Sequence, residues 1–306
     1  MPLKFIQTMR DKKEQVEEYS NIYSSVLSHT NLRSGWDSLH NFEATEDDAR
    51  RFLLCFVQNA ITDQYLQERL SSSLLDNEWE IKGKPIKTPD GGEAAGSCNW
   101  NNGKFTKWVA LGVASSRDPS VHITDFRLIR CWMHEATHSI SQKHDAGWRS
   151  TQMVPEKDQS VGEIEAKFME KVFVDFVRRN AEVLGDQNFF PGQNEYTFTR
   201  EMNTLEKNDR LDFISRLKSG IDNPQGGYKD SFSHRYVIGE IVASLLFEEY
   251  KQDPVETMHL FSQFLQINAQ LDVDECVAFL TKGEYQSYPE AIEAYKGLLN
   301  SRGRII

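Results

Sequence analysis

The sequence predicts a mainly helical protein with one small β-sheet or hairpin, and three observations support this prediction. Charged and apolar residues recur at three- and four-residue steps along most of the 306 residues. Between residues 79 and 125 this period is lost, and glycines and prolines punctuate short runs of β-branched and aromatic residues. The chain has no apolar run as long as the roughly 18 residues that a membrane-spanning helix needs.

Three helices are expected before the β region. The helical period runs from Phe5 to about His29, and a pair of helices is expected from Thr45 to about Asn77. Thr45 precedes an acidic run at 46–48, which is the pattern of an N-cap followed by an acidic first turn. Inside the β region, the runs FTKWVALGV and VHI predict short strands.

Helix is expected to resume at about Thr124 and to continue to the end of the chain. An apolar stripe recurs at helical spacing, at Phe126, Ile129, Met133, Thr137 and Ile140. Further helices are expected over residues 160–184, 199–219, 230–251, 254–270, 273–282 and 288–300. Gly185 and Gly220 follow two of them as C-caps. No flexible linker is evident, so we expect a helical region, 1–78, packed as a single unit with a second region, 79–306.

Composition narrows the class of protein. The 46 acidic residues outnumber the 35 basic ones and give a net charge of −11, which disfavours binding to nucleic acid or to anionic membranes. The four cysteines show no CxxC spacing, and the N-terminus has no apolar core of a cleaved signal peptide. The sequence therefore predicts a cytoplasmic protein, although export or delivery as an effector without a cleaved signal is compatible with it.

The most specific motif is HEATH at residues 134–138, an instance of HExxH on the helix that follows the β region. Positions four apart share one helix face, so His134 and His138 can direct both imidazoles at one metal ion. Glu135 is then placed to take a proton from a bound water, whose pKa zinc lowers toward 7. Chance gives HExxH in such a chain with odds of roughly 1–2%, which favours a zinc peptidase over two exposed histidines.

One candidate for the third ligand is His144, as in the longer motif HExxHxxGxxH. The glycine of that motif lets the helix stop and the chain swing back toward the metal. Ser141 occupies the glycine position here and resists a positive φ, although Met153 offers something like the methionine turn of such proteins. We therefore favour a surface role for His144.

The other candidate is a glutamate of the next helix, where SVGEIEAKFMEKVFVDF at 160–176 offers three. Glu163 and Glu170 lie two turns apart on one helix face, whereas Glu165 is expected to point elsewhere. Ser160 and Glu163 also match a capping box, S-x-x-E, which would employ Glu163 without any metal. The residue pattern alone leaves both roles of Glu163 open.

HEATH followed by EIEAKFME, whose first glutamate lies 25 residues after His138 (138 to 163), resembles the thimet oligopeptidase and oligoendopeptidase F family. That family places its ligand glutamate at this distance, within a stretch E-x-x-S-Q-x-x-E. Glu163 falls on the ligand and Glu170 on the second glutamate, while Ala166 and Lys167 replace the serine and glutamine. The resemblance implies a zincin-like helical metallopeptidase domain, with a small sheet before the zinc helix.

Two further stretches carry the resemblance. GGEAAGSCNW and KWVALGV are similar to the family's glycine-containing segment and substrate-facing edge strand, and GGYKDSFSHRYVIGEIVASLLFEEY is similar to its glycine-tyrosine loop and following helix. The resemblance implies that Tyr228, with Tyr236 or His234, donates a hydrogen bond to the oxyanion. Asn223 stands where the family has a histidine before the first tyrosine.

Together these residues predict a zinc-dependent peptidase in which His134, His138 and Glu163 hold Zn²⁺ and Glu135 is the general base. An extended peptide or exposed protein segment would pair with the edge strand, expected at 108–112. The chain is about half as long as the resembled family members, so we expect a more open cleft. Alternatives are a metzincin-type protease that uses His144 and an inactive zinc-binding interaction protein, against which the retained Glu135 argues.

Overall fold

The computed structural model describes residues 2–28, 36–87, 93–101, 104–141, 163–222 and 228–301. Within these ranges, the side chains of residues 2–13, 15, 93, 99–101, 104–105, 228–234 and 269 are not described. Among the described residues, no helix is both long enough and apolar enough to cross a membrane.

The helices before the β region lie where the sequence predicts them. Helix α1 spans Pro2–Ser28, α2 spans Glu46–Ala60 and α3 spans Gln64–Leu75. The Thr45 hydroxyl accepts from the Asp48 amide, and the Asp48 carboxylate accepts from the Thr45 amide, so the predicted N-cap is a complete capping box.

The strands form three small sheets, which include a strand before α2 that the sequence did not predict. The strands are β1 (Phe42–Thr45), β2 (Trp79–Lys82), β3 (Ile86–Lys87), β4 (Glu93–Ala94), β5 (Gly96–Asn101), β6 (Lys104–Ala110), β7 (Val113–Ala114) and β8 (Val121–Thr124). The sheet next to the site has the order β2-β6-β5, with β2 parallel and β5 antiparallel to β6. The other two sheets are antiparallel, in the orders β1-β8-β7 and β3-β4.

The helix that carries HEATH is α4, Phe126–Ile140, and it begins after the N-cap Asp125 rather than at Thr124. All five residues of the predicted apolar stripe are buried, and so are most residues on its other faces. A helix that is covered on all sides belongs to the middle of the protein. The interpretation of two exposed histidines on a surface helix is therefore wrong, since 7% of His134 and 6% of His138 is exposed.

The remaining helices correspond to the predicted ones with shifted ends. They are α5 (Ile164–Arg179), α6 (Ala181–Asp186), α7 (Glu195–Asp222), α8 (Tyr228–Gln252), α9 (Pro254–Ile267), α10 (Val273–Leu280) and α11 (Tyr288–Ser301). The single helix expected over 160–184 is divided at Asn180. Gly220 is not a C-cap, because α7 continues past it to Asp222, and Gly185 lies inside α6.

Phenylalanine side chains from distant parts of the sequence join the first helices to α4. Phe42 of β1 packs against Phe126 of α4, with ring centroids 4.8 Å apart. Phe52 of α2 stacks on Phe198 of α7 at 5.8 Å and meets Phe173 of α5 at 5.9 Å. These rings belong to one continuous apolar core, which holds α4 and α5 in a fixed relation. The boundary between residues 78 and 79 stays a prediction.

Candidate metal centre and active site

His134 and His138 form one side of the centre. Their spacing of four residues stacks them on one face of α4, and their Nε2 atoms lie 3.0 Å apart. Both rings are buried, and their planes are nearly perpendicular, at 84°. The helix therefore directs one nitrogen of each imidazole at the same point in the protein interior.

Glu163 forms the other side of the centre. It stands at the N-cap position of α5, yet its side chain makes no capping hydrogen bond. Its Oε2 atom lies 3.4 Å from Nε2 of His134 and 3.7 Å from Nε2 of His138. That oxygen is buried and accepts no hydrogen bond from the described residues. Glu163 thus stands at the N-cap rather than at the N3 position that a capping box with Ser160 requires, and Ser160 itself lies outside the described residues.

The three atoms fit a metal ion. Tetrahedral coordination at about 2.0–2.1 Å separates neighbouring ligand atoms by about 3.3 Å, and the observed separations of 3.0, 3.4 and 3.7 Å bracket this value. Among the described residues, the acidic, histidine and cysteine side chains that meet closely enough to hold a metal are His134, His138 and Glu163. Two imidazoles and one carboxylate leave a fourth coordination position open.

The outer nitrogen of each histidine also faces a carboxylate from α5. Glu170 Oε1 lies 2.8 Å from Nδ1 of His134, and Glu165 Oε1 lies 3.5 Å from Nδ1 of His138. Outer carboxylates of this kind fix the tautomer and the ring orientation of a ligand histidine. The expectation that Glu165 points elsewhere is wrong, since the side chain is completely buried against His138.

The charges of the centre are mutually compensated. Burial alone would lower the pKa of His134, but Glu163 and Glu170 outweigh it and raise that pKa to about 9. Burial would raise the pKa of Glu163, but both histidines hold it well below the ordinary range. The group therefore holds protons that a bound cation would have to displace, as metal sites in proteins generally require.

Glu135, the candidate general base, lies beside this group and backs onto strand β5. Gly96 leaves the space for it, because a Cβ atom at Gly96 would stand 2.6 Å from Cγ of Glu135. Cys98 of the same strand donates its thiol proton to the Glu135 carbonyl oxygen at 3.1 Å. Burial raises the pKa of the Glu135 carboxyl, although both histidines act to lower it.

The residues expected to contact an oxyanion come from α8. Burial and the negative charge of Glu163 raise the pKa of Tyr236, whose side chain is half-buried. Its ring lies 4.1 Å from the Arg216 guanidinium. The backbones of Tyr228 and His234 lie in the first turns of α8, but their side chains are outside the described part of the chain.

The expected edge strand is not an edge. Strand β6 pairs with β2 through Glu80 opposite Trp108, and on its other side it pairs with β5 through Ser97 opposite Trp108. The outer strand next to α4 is β5, and its Gly96 and Cys98 pack against that helix. Among the described residues, no strand pairs with the free side of β5.

The alternative ligand His144 and Met153 lie outside the described residues. Ser141, which stands at the glycine position of the longer histidine motif, ends α4 in an extended conformation with φ −71°. Its buried hydroxyl bonds the side chain of Asn268, whose amide nitrogen lies 2.7 Å away. The chain therefore leaves the helix here without the positive φ that a glycine turn would supply.

Sequence reasoning missed Glu165, Gly96 and Gly239 as parts of the site. Gly239 of α8 rests against Glu163, because a Cβ atom there would lie 2.9 Å from Cβ and 3.0 Å from the carbonyl oxygen of Glu163. A glycine inside a strand or a helix pattern is the signal that can reveal such close approaches. Glu165 carried no such signal, because its neighbour His138 comes from another helix.

Comparison with known proteins identifies the architecture. No protein-family model matches the chain, and no curated protein matches its sequence. The fold is similar to a crystal structure of a candidate oligoendopeptidase F from Bacillus anthracis strain Ames, with a TM-score of 0.56 and 10% sequence identity. The similarity covers 97% of this chain and 56% of that one, so the chain spans little more than half its length. The mainly α class with small sheets is confirmed, and the chain has an oligoendopeptidase F-type fold.

Proposed function

We propose that the protein is a zinc-dependent peptidase that hydrolyses peptide bonds. The carrying observation is the buried convergence of His134, His138 and Glu163 beside Glu135. The fold similar to an oligoendopeptidase F supports the same reaction class by analogy. A purely structural metal site would have no use for a carboxylate in the position of Glu135.

The donor set favours zinc. Two imidazole nitrogens and one carboxylate oxygen are the ligands of many hydrolytic zinc sites, which keep one position for water or substrate. When bound, zinc would lower the pKa of that water and polarise the scissile carbonyl group. His134 and His138 would present their Nε2 atoms, and Glu170 and Glu165 would hold the rings from behind.

Glu135 is the proposed general base and general acid. Its carboxylate would accept a proton from the attacking water and pass that proton to the leaving amine. The burial that raises its pKa brings the group closer to the pH at which a carboxyl can both take and return a proton. Gly96 and α4 hold the side chain on a rigid base of strand and helix.

Tyr236 is the proposed hydrogen-bond donor to the oxyanion, with Tyr228 and His234 as further candidates on the same helix. The ring of Tyr236 lies 5.5 Å from the Lys167 ammonium that bonds Glu170, which supports a position beside the centre. A phenol kept protonated by burial can donate a hydrogen bond to developing negative charge.

The proposed substrate is a peptide or an exposed protein segment in extended conformation. Such a segment could add to the sheet along β5, whose outer side has no partner strand among the described residues. Strand β5 touches the helix that carries Glu135, so a strand added there would run past the centre. We place the activity in the cytoplasm, in accord with four cysteines that form no disulfide, Cys55, Cys98, Cys131 and Cys276.

The decisive variant is Glu135→Gln, which keeps the size of the side chain and removes its ability to accept a proton. We expect it to bind about one zinc ion per chain, like the wild type, while cleavage of a peptide mixture falls by about 10²–10⁴-fold. Mass spectrometry of new peptide termini measures cleavage, and elemental analysis measures zinc.

The matched control is Glu78→Gln, the same change at an exposed residue, which should cleave like the wild type. Wild-type cleavage by Glu135→Gln would refute the mechanism. A wild-type protein that binds zinc but cleaves nothing in the mixture would support the zinc-binding interaction protein instead.

A further inference from the structure

Lys167 of α5 lies directly behind the metal centre. Its Nζ atom lies 2.9 Å from Oε2 of Glu170, one helical turn further along. Both side chains are largely removed from solvent, with 13% of Lys167 and 10% of Glu170 exposed. This is an ion pair in a low-dielectric setting, where such contacts restrain geometry more than surface pairs do.

The two oxygens of Glu170 have different donors. Oε1 faces Nδ1 of His134 at 2.8 Å, while Oε2 receives the Lys167 ammonium. Arg130 is the other cation nearby, but its two terminal nitrogens bond the Asp209 carboxylate. Without Lys167, Oε2 would be a buried acceptor without its donor, and the carboxylate could rotate away from His134.

The same ammonium also faces the proposed oxyanion donor. Nζ of Lys167 lies 5.5 Å from the centre of the Tyr236 ring, within the range of a cation–π interaction. Arg216 lies 4.1 Å from the same ring and is held by Asp212 at 2.6 Å. Lys167 therefore contacts the residue that supports a metal ligand and also the ring of Tyr236.

We infer that Lys167 is a positioning residue of the metal centre: it holds Glu170 so that His134 presents Nε2 to the point shared with His138 and Glu163. The inference rests on the proposed function, because it assigns the centre to a metal. Lys167 itself does not touch the metal position, and it acts through Glu170.

Lys171, one turn along α5, is a matched control. Its Nζ atom forms an ion pair with Glu240 at 2.6 Å, and its side chain is 23% exposed. It lines a cavity of about 290 Å³, together with Glu170, Glu240 and Tyr295. A loss of charge at Lys171 thus removes an ion pair of the same kind without removing a donor from Glu170.

The test compares zinc affinity, measured by competition with a chromogenic chelator and without any peptide. Lys167→Met keeps the length of the side chain and removes the donor. We expect it to bind zinc about 10-fold more weakly, at the low end of the effect of losing an outer partner of a ligand histidine. Lys167→Arg should restore affinity to within about 3-fold of the wild type, and Lys171→Met should match the wild type.

A double-mutant cycle shows whether Lys167 acts through Glu170. In a Glu170→Gln background, Lys167→Met should have no further effect on zinc affinity, since the carboxylate it positions is already gone. Circular dichroism checks that each variant is folded, and Lys167→Gln replaces the methionine variant should that one misfold.

Wild-type zinc affinity in folded Lys167→Met, or an undiminished effect in the Glu170→Gln background, would overturn the inference. Either result leaves the peptidase proposal intact, because that proposal is tested by zinc binding and cleavage of the wild type and by the Glu135→Gln variant.

Discussion

At the scale of single residues, the centre is defined by how α5 encloses the two imidazoles of α4. Each ring has Glu163 on its inner nitrogen and a second carboxylate on its outer nitrogen. Buried imidazoles and carboxylates are costly unless they neutralise one another. The arrangement meets that requirement and orients both rings at once, which a lone HExxH helix could not do.

Glu163→Ala tests the third ligand. We expect zinc affinity to fall by more than about 100-fold, because loss of a ligand exceeds the 10–100-fold effect of losing an outer partner. His144→Ala should retain wild-type affinity. The opposite pair of results, measured by the same chelator competition, would favour the metzincin interpretation.

At the scale of elements, close approach of backbones positions the carboxylates of Glu135 and Glu163. Gly96 of β5 lets the strand pack on Glu135, and Gly239 of α8 lets that helix pack on Glu163. In both places a Cβ atom would stand closer than 3.0 Å to the glutamate. The mutual placement of β5, α4, α5 and α8 therefore determines where the proposed general base and the proposed metal ligand lie.

Gly239→Ala tests this packing. The added methyl group meets the Cβ atom and backbone of Glu163, so we expect a loss of about 1–3 kcal/mol in stability and weaker zinc binding. Gly297→Ala is the control, since that helical glycine has open space around it. It should leave zinc affinity unchanged and raise stability by up to about 1 kcal/mol. Equal zinc affinities for the two variants would contradict the assigned role of Gly239.

At the scale of the whole molecule, the N-terminal helix α1 is docked against α7 and α11. The ring of Tyr19 fills the notch at Gly220, where a Cβ atom would lie 2.3 Å from Cε2 of the ring. Gly220 therefore lies inside α7 and leaves room there for the ring of Tyr19. The neighbouring Glu18 is largely buried and faces Tyr288 of α11.

The docking of α1 should make stability depend on pH. Burial raises the pKa of Glu18 to about 7, above the ordinary value of 4.5. The folded state therefore binds this proton more tightly than the unfolded state does. The stability it contributes is fully present below about pH 4.5 and is lost as the pH rises through about 7.

Glu18→Gln carries a permanent neutral side chain, so it should be more stable than the wild type at pH 8, by an amount on the order of 1–3 kcal/mol. Thermal melts between pH 5 and pH 8 would show the difference as a shallower decline for the variant. Glu17→Gln, at an exposed position of the same helix, should retain the wild-type slope. A Glu18→Gln slope equal to that of the wild type would contradict the assignment.

What the sequence by itself determined is local. The spacing of His134 and His138, the capping box at Thr45 and the approximate helix order all depend on residues within one or two turns, where backbone geometry is known in advance. The resemblance singled out Glu163 and Glu170, and both lie against histidines of HEATH. At Lys167 the stretch departs from the resembled pattern, and the inferred role of this residue follows only from its contact with Glu170 in the structure.

What only the tertiary structure decided depends on which surfaces meet. Strand β6 is expected to be an edge, yet it pairs on both sides because β2, from an earlier part of the chain, lies parallel to it. Glu165 is expected to point away from the site, yet it lies against His138, because α4 packs on α5. Gly220 is expected to end a helix, yet the helix continues past it and the Tyr19 ring packs against it. Spacing along a chain sets which face of an element a residue lies on, whereas long-range packing sets what covers that face.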